Sequence, residues 1–339
     1  MKEYTDMSRV ISFLLTTFCI YVCAAISQPP AHPGIVLYQE GKNAEAVRSL
    51  EIAVKTKEFE KNAEVWNYLG LSYTKSPDFG RARKAFEKAV KLTPKSSVYR
   101  SNLAYVHLMS RQYGKARSEA MKAIGLDPKN VTAYYLRGSA SVLDNKLNDA
   151  EKDADQIMII DPTYSQGYLL KSNVLLSRLG QKVAGGSTPR AEIKYLENAV
   201  NVLSKGIDSC NCKGKPNHKL LVDELESVDV FYKHFSKEKP DPSARPEPDP
   251  TVTPLKVTSK PNPNYTDAAR QANVEGTIQL AVLFGANGTV QHVLLLKRLG
   301  YGLDENVMKA ARKIGFEPQR KDGKPMSIVR IVEYSFDIY

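Results

Sequence analysis

The chain has 339 residues, room for two or three domains, and is 42% hydrophobic and 25% charged, the balance of a folded protein and not of a disordered or fibrous one. Its formal charge is +11, but Lys and Arg are spread along the chain without a long basic run or a basic–aromatic motif, so a nucleic-acid partner is not expected. There is no phosphate-cradling glycine loop, nucleophile elbow or metal-ligand pair on a helix, and the five His residues are scattered. No catalytic, cofactor or metal site is assigned, and the chain does not read as an enzyme.

The N-terminus reads as a targeting segment. Residues 10–26 are an unbroken apolar and small-polar run preceded by Arg9. The run ends in Cys23-Ala24-Ala25-Ile26-Ser27, small residues suited to cleavage after Ala25 or Ser27. An uncleaved anchor is the alternative, because a helix needs about 17 apolar residues to span a bilayer. Cleavage would leave Cys210 and Cys212 in an oxidising space, where a local disulfide stays open. With His218 they fall short of the four ligands of a structural zinc site.

A spacing of 34 residues then governs the chain. The first copy carries Trp66, Leu69, Gly70, Tyr73, Ala82, Phe86, Ala89 and Pro94. The second carries Leu103, Ala104, Ala116, Ala120, Ala123 and Pro128, and the third Tyr134, Gly138, Ala150, Ala154, Ile157 and Pro162. Small, large and proline positions held in register at this period predict stacked antiparallel helix pairs, each ended by a proline that cannot continue the ladder. Ala46, Leu50 and Ala53 read as an incomplete copy before these. A degenerate fourth copy starts at Ser165, with Tyr168 at the aromatic position, a lengthened turn at 180–189 and a second helix at 191–207. A helix at about 218–235 should cap the stack, since an open solenoid end exposes apolar surface.

These positions resemble the tetratricopeptide repeat, whose first helices line a concave groove. The resemblance implies a groove surface at Glu64, Asn67, Leu71 and Thr74, then Val98, Ser101, Tyr105 and Leu108, then Thr132, Tyr135, Ser139 and Val142. This surface is aromatic and polar with little charge and suits a peptide or a partner helix. Cochaperone members of that family grip an acidic tail with Lys and Arg at set groove positions; Asn102 is the one matching residue here.

Residues 239–254 alternate proline with charged residues, a stiff extended linker reaching about 50 Å. Beyond it the periodicity changes. A short helix is expected at 265–271, a half-buried strand at 277–284 with Ile278, Leu280, Val282 and Phe284 on one face, and a hairpin turn at Asn287-Gly288. A return strand at 290–297, a helix at 303–314 and a long last strand at 327–339 follow.

Asn264-Tyr265-Thr266-Asp267, Val274-Glu275-Gly276-Thr277, Ala286-Asn287-Gly288-Thr289, Gly302-Leu303-Asp304-Glu305, Phe316-Glu317-Pro318 and Asp322-Gly323-Lys324-Pro325, in this order, resemble the TonB C-terminal domain. The resemblance implies a small α+β module of the diderm cell envelope that takes an extended peptide as an added strand on a free sheet edge. The last strand is the candidate edge, with Val329, Ile331, Glu333, Ser335 and Asp337 outward. Pairing of that strand inside the domain or in a homodimer stays open. The energy transducers of this family need a membrane helix that senses a motor and a long spacer. Residues 10–26 carry no His or charge, and the linker is short.

The chain is therefore read as multidomain: an all-α repeat solenoid followed by a small α+β domain, an antiparallel sheet with two helices. The expected boundaries are 1–27 for the export segment, 28–236 for the solenoid and its cap, 237–254 for the linker and 255–339 for the last domain. The expected function is a non-enzymatic scaffold of the periplasm or cell envelope. Its partners would be proteins or peptides, an outer-membrane transporter or envelope complex among them. The alternative is an inner-membrane-anchored transducer, since membrane association follows only if the N-terminal segment is retained.

Overall fold

The structure is a computed structural model and describes residues 32–76, 78–237 and 251–337. The apolar segment at 10–26 with its cleavage site, and the proline run at 238–250, lie outside the described residues. Among the described residues no helix is long and apolar enough to cross a membrane.

Helices α1 (Pro33–Gln39) and α2 (Asn43–Ala53) form the incomplete first pair. Three full pairs follow: α3 (Ala63–Lys75) with α4 (Phe79–Leu92), α5 (Ser97–Met109) with α6 (Tyr113–Leu126), and α7 (Val131–Leu143) with α8 (Leu147–Ile160). The register that marks the sequence is also the register of the helix starts. Asn62, Ser96 and Asn130 stand 34 apart, and each accepts from backbone N–H groups of the turn it opens. Such caps satisfy donors that have no partner inside the helix. Ala82, Ala116 and Ala150 are fully buried, as are Phe86, Ala120 and Ala154. The small side chains let neighbouring helices approach closely.

The fourth pair is α9 (Ser165–Ala184) and α10 (Lys194–Ser209), capped by α11 (Pro216–Lys237). Here the structure departs from the expected turn at 180–189: α9 runs through Gly180 to Ala184. A glycine inside a helix costs about 1 kcal/mol relative to alanine. The reason it stands here is contact with another part of the chain. A Cβ on Gly180 would lie 3.3 Å from both the Cβ and the carbonyl oxygen of Leu296.

Leu296 belongs to the last domain. Its main sheet has the order β4-β3-β8, with β3 (Gly276–Phe284) central, β4 (Val290–Lys297) on one side and β8 (Ile328–Phe336) on the other, all antiparallel. The β3–β4 turn carries Gly288 at φ 80°, and the Asn287 side chain accepts from the Thr289 N–H. Helices α12 (Asp267–Gln271) and α13 (Leu303–Ala311) belong to the same domain. Ile278, Leu280, Val282 and Phe284 of β3, with Tyr334 and Phe336 of β8, form its core together with Leu303 and Val307 of α13.

Four short strands frame this sheet: β1 (Val252–Thr253), β2 (Lys256–Ser259), β5 (Gly315–Glu317) and β6 (Arg320–Lys321), with β7 (Lys324–Pro325) closing a hairpin on β6. Pairing of β1 with β6 and of β2 with β5 brings residues 252–259 into the domain, so its contacts begin before the expected start at 255.

The opposite face of the sheet is also covered. Ala281 and Leu283 of β3 and Leu294 and Leu296 of β4 share one apolar cluster with Leu175, Leu176 and Leu179 of α9 and with Phe231 and Phe235 of α11. The half-buried reading of β3 is therefore corrected: the strand is buried on its own helices by one face and on the solenoid by the other. The continuous apolar run Val293-Leu294-Leu295-Leu296 is what a strand covered on both faces requires.

Candidate functional site

The groove residues divide into two sets. Asn67 and Ser101 are buried. Asn67 Oδ1 accepts from Asn102 Nδ2 at 2.7 Å, which ties α3 to α5. Ser101 donates to the Ser97 carbonyl and accepts from Asn130 Nδ2 at 3.1 Å, which ties α5 to the cap of α7. These three side chains join one repeat to the next. Leu71, Tyr135 and Ser139 are half-buried and Tyr105 is 37% exposed, so these keep surface for a ligand.

Besides Tyr105 and Tyr135, the first helices carry Tyr38, Tyr68 and Tyr99, which the groove spacing does not select, and Tyr164 stands just before α9. Tyr38 meets Tyr68 edge-on at 5.5 Å between ring centroids, and Tyr135 meets Tyr164 edge-on at 6.5 Å. Burial raises the Tyr105 hydroxyl above its ordinary range, and Tyr135 adds to this. Burial, with Glu64 and Tyr68 adding, does the same for Tyr99. Neutral hydroxyls on rigid rings give apolar contact and hydrogen-bonding tips at low entropic cost. The recurrence of Tyr on the first helices of successive pairs is the sequence signal that could have found this row.

At the sheet, β8 pairs with β3 from Gly276↔Phe336 to Phe284↔Ile328, and its other edge has no strand partner among the described residues. Lys260 Nζ donates to the Glu333 carbonyl at 2.6 Å. Main-chain groups alternate sides along a strand, so the N–H and C=O groups of Ile331, Glu333 and Ser335 point to the open edge, away from β3. Glu333 and Ser335 are exposed. Val329 and Ile331, expected to face outward, are instead half-buried against the solenoid-side cluster, because the solenoid covers that face of the sheet.

A polar seam flanks the apolar one. Arg111 donates to the carbonyls of Asn273 at 2.9 Å and Glu275 at 3.3 Å. The Tyr301 hydroxyl donates to the Leu108 carbonyl at 3.2 Å, and burial holds that hydroxyl in its protonated form. Arg298 faces Glu224 at 3.5 Å. Arg111 and Asn145, 34 residues apart, both sit in left-handed backbone at the turn between paired helices. That edge of the solenoid receives the last domain.

Cys210 and Cys212 are joined in a disulfide and buried within the shared cluster. No group of three or more His, Cys, Asp or Glu side chains able to hold a metal occurs among the described residues.

Residues 261–338 match the model of the Gram-negative bacterial TonB protein C-terminal domain, and residues 34–97 match a tetratricopeptide repeat model. No curated protein matches the chain. Among solved structures, a crystal structure of MamA is 19% identical with a TM-score of 0.43, covering 52% of this chain and 96% of its own. YrrB, described as a tetratricopeptide protein with an unusual peptide-binding site, is 16% identical with a TM-score of 0.41, covering 57% and 88%. The Arabidopsis OM64 tetratricopeptide domain is 24% identical with a TM-score of 0.33, covering 33% and 93%. None of these likenesses bears on ligand or function. The register of the repeats, the order of the sheet and the two family matches agree: the chain is a tetratricopeptide solenoid followed by a C-terminal TonB-type domain, two kinds of non-enzymatic interaction module.

Proposed function

We propose that this chain is a scaffold of the Gram-negative cell envelope. It holds one protein partner in the tyrosine-lined groove and takes the extended segment of another as an added strand at β8. The observation that carries the reading is the outer edge of β8, where Ile331, Glu333 and Ser335 present main-chain groups with no strand opposite among the described residues. An unpaired edge is a template for strand addition. The match of residues 261–338 to the TonB C-terminal model and the apolar segment at 10–26 support an envelope location. The groove favours an uncharged partner segment with apolar or aromatic side chains, since Tyr105, Tyr135 and Leu71 carry its open surface.

The test is binding of a synthetic peptide from the N-terminal periplasmic segment of an outer-membrane transporter to the full chain. Ser335→Pro removes one outward N–H without touching the β3 ladder. Saturable binding lost in a folded Ser335→Pro variant supports the reading. Binding equal in both proteins places the peptide elsewhere and overturns the assignment to β8.

A further inference from the structure

On the solenoid surface between α2, α3 and α4 lies a pocket of about 310 Å³. Its floor is apolar: Val54, Leu69, Ala85 and the face of Trp66. Its rim is cationic. Lys55, Arg81 and Lys84 line it, and the Lys88 ammonium lies 6.0 Å from the centre of the Trp66 ring. Arg81, Lys84 and Lys88 fall at helical spacing on α4 and so share one face.

One carboxylate also lines this pocket, and it is already satisfied. Glu51 accepts from the Tyr73 hydroxyl at 2.5 Å and from Arg81 at 3.1 Å, while Arg81 also pairs with Asp78 at 2.6 Å. Among the described residues no ion pair is formed by Lys55, Lys84 or Lys88. Lys55 and Lys84 at the lining, and Lys88 beside Trp66, are therefore ammonium groups without an ion-pair partner around a concavity that has room for one apolar side chain.

We infer that this pocket binds an acidic peptide segment, with an apolar side chain on Trp66 and flanking carboxylates on Lys55, Lys84 and Lys88. The chemistry follows from charge complementarity around an apolar floor, the arrangement in which ion pairs set specificity and apolar burial supplies affinity. A lipid surface would call for cations spread over a flat or convex face, and these surround a hollow. The site is separate from the groove and from the β8 edge, and its test does not depend on either.

Trp66 is the chain's single tryptophan, so its fluorescence reports on this pocket alone. The full chain is titrated with an acetylated Glu-Asp-Leu-Glu-Asp peptide and, separately, with phosphatidylglycerol vesicles. The inference predicts a saturable change in Trp66 emission with the peptide that weakens as salt rises. Lys84→Glu/Lys88→Glu should weaken binding about tenfold or more, equal to about 1.4 kcal/mol per tenfold step. The milder Lys84→Gln/Lys88→Gln serves if the reversal does not fold, with a loss of about threefold. Lys57→Glu, exposed and outside the pocket, should bind as the parent does. No emission change, equal affinity in the lysine variants, or a response to vesicles without one to the peptide would each overturn it.

Discussion

Arg111 reaches from the turn after α5 to the backbone carbonyl of Asn273, 162 residues further along the chain, at 2.9 Å. The contact fixes the last domain on the edge of the solenoid where paired helices turn. It stands beside an apolar seam in which Leu283 and Leu296 meet Leu176, Leu179 and Phe231. The two modules thus share a buried cluster, and the proline run between them is not their only connection.

The packing of Gly180 against Leu296 in that seam gives the first prediction. A Cβ at Gly180 would already stand 3.3 Å from the Leu296 Cβ and carbonyl oxygen, so a larger side chain there crowds β4, and forced overpacking of this kind costs about 1–3 kcal/mol. Gly180→Leu should loosen the last domain from the solenoid while leaving each module folded. Small-angle scattering should show a larger radius of gyration with unchanged helical content. An unchanged radius would mean the seam does not hold the modules together.

The second concerns the last domain by itself. A fragment of residues 251–339 keeps its own core but exposes Ala281, Leu283, Leu294 and Leu296. Contiguous apolar patches of this sort drive association. The fragment should self-associate on a sizing column, and Leu283→Gln with Leu296→Gln should return it to a monomer. A monomeric parent fragment would count against the apolar seam.

The third is a pH dependence. Burial, together with the hydrogen bond to Glu51, raises the Tyr73 hydroxyl from about 10 to about 12. The protonated hydroxyl is the form the fold favours. Its contribution to stability is therefore complete below the unfolded value and is lost as pH rises through about 12. Denaturant midpoints should fall over that window, and Tyr73→Phe should flatten this part of the profile. An identical profile in the variant would remove Tyr73 as the cause.

The fourth addresses the N-terminus. Protein recovered from its native envelope should begin at Ile26 or Gln28, since cleavage after Ala25 or Ser27 frees a scaffold. An intact N-terminal mass in the membrane fraction would support the anchored transducer instead, because only a tethered chain can transmit force.

What the sequence makes legible follows from the range of the interactions. The 34-residue register is local and strong, so the helix pairs and their buried alanines follow from it, while the caps at Asn62, Ser96 and Asn130 keep the same register without being singled out by it. The Asn287-Gly288 turn and the alternation of β3 are equally local. The seam is not legible in this way, because Arg111 and Asn273 carry no mark of their pairing. The apolar run at 293–296 and the non-polar Ala281 and Leu283 are the local trace of a second covered face, which alternation read on β3 alone passes over. Strands β1 and β2 are short, and β2 is exposed throughout, so no periodicity marks them. At the groove, spacing selects positions and not tasks. Asn67, Ser101 and Asn102 sit at groove positions, yet their hydrogen bonds run to neighbouring repeats.

The central claim is that β8 has an open outer edge, and amide hydrogen exchange of the free full chain tests it most directly. The N–H groups of Val332 and Tyr334 point to β3 and those of Ile331, Glu333 and Ser335 point away. The account predicts a period of two along β8, with slow exchange at Val332 and Tyr334 and fast exchange at Ile331, Glu333 and Ser335. Uniform protection from Ile331 to Ser335 would show the edge already covered and would contradict the account.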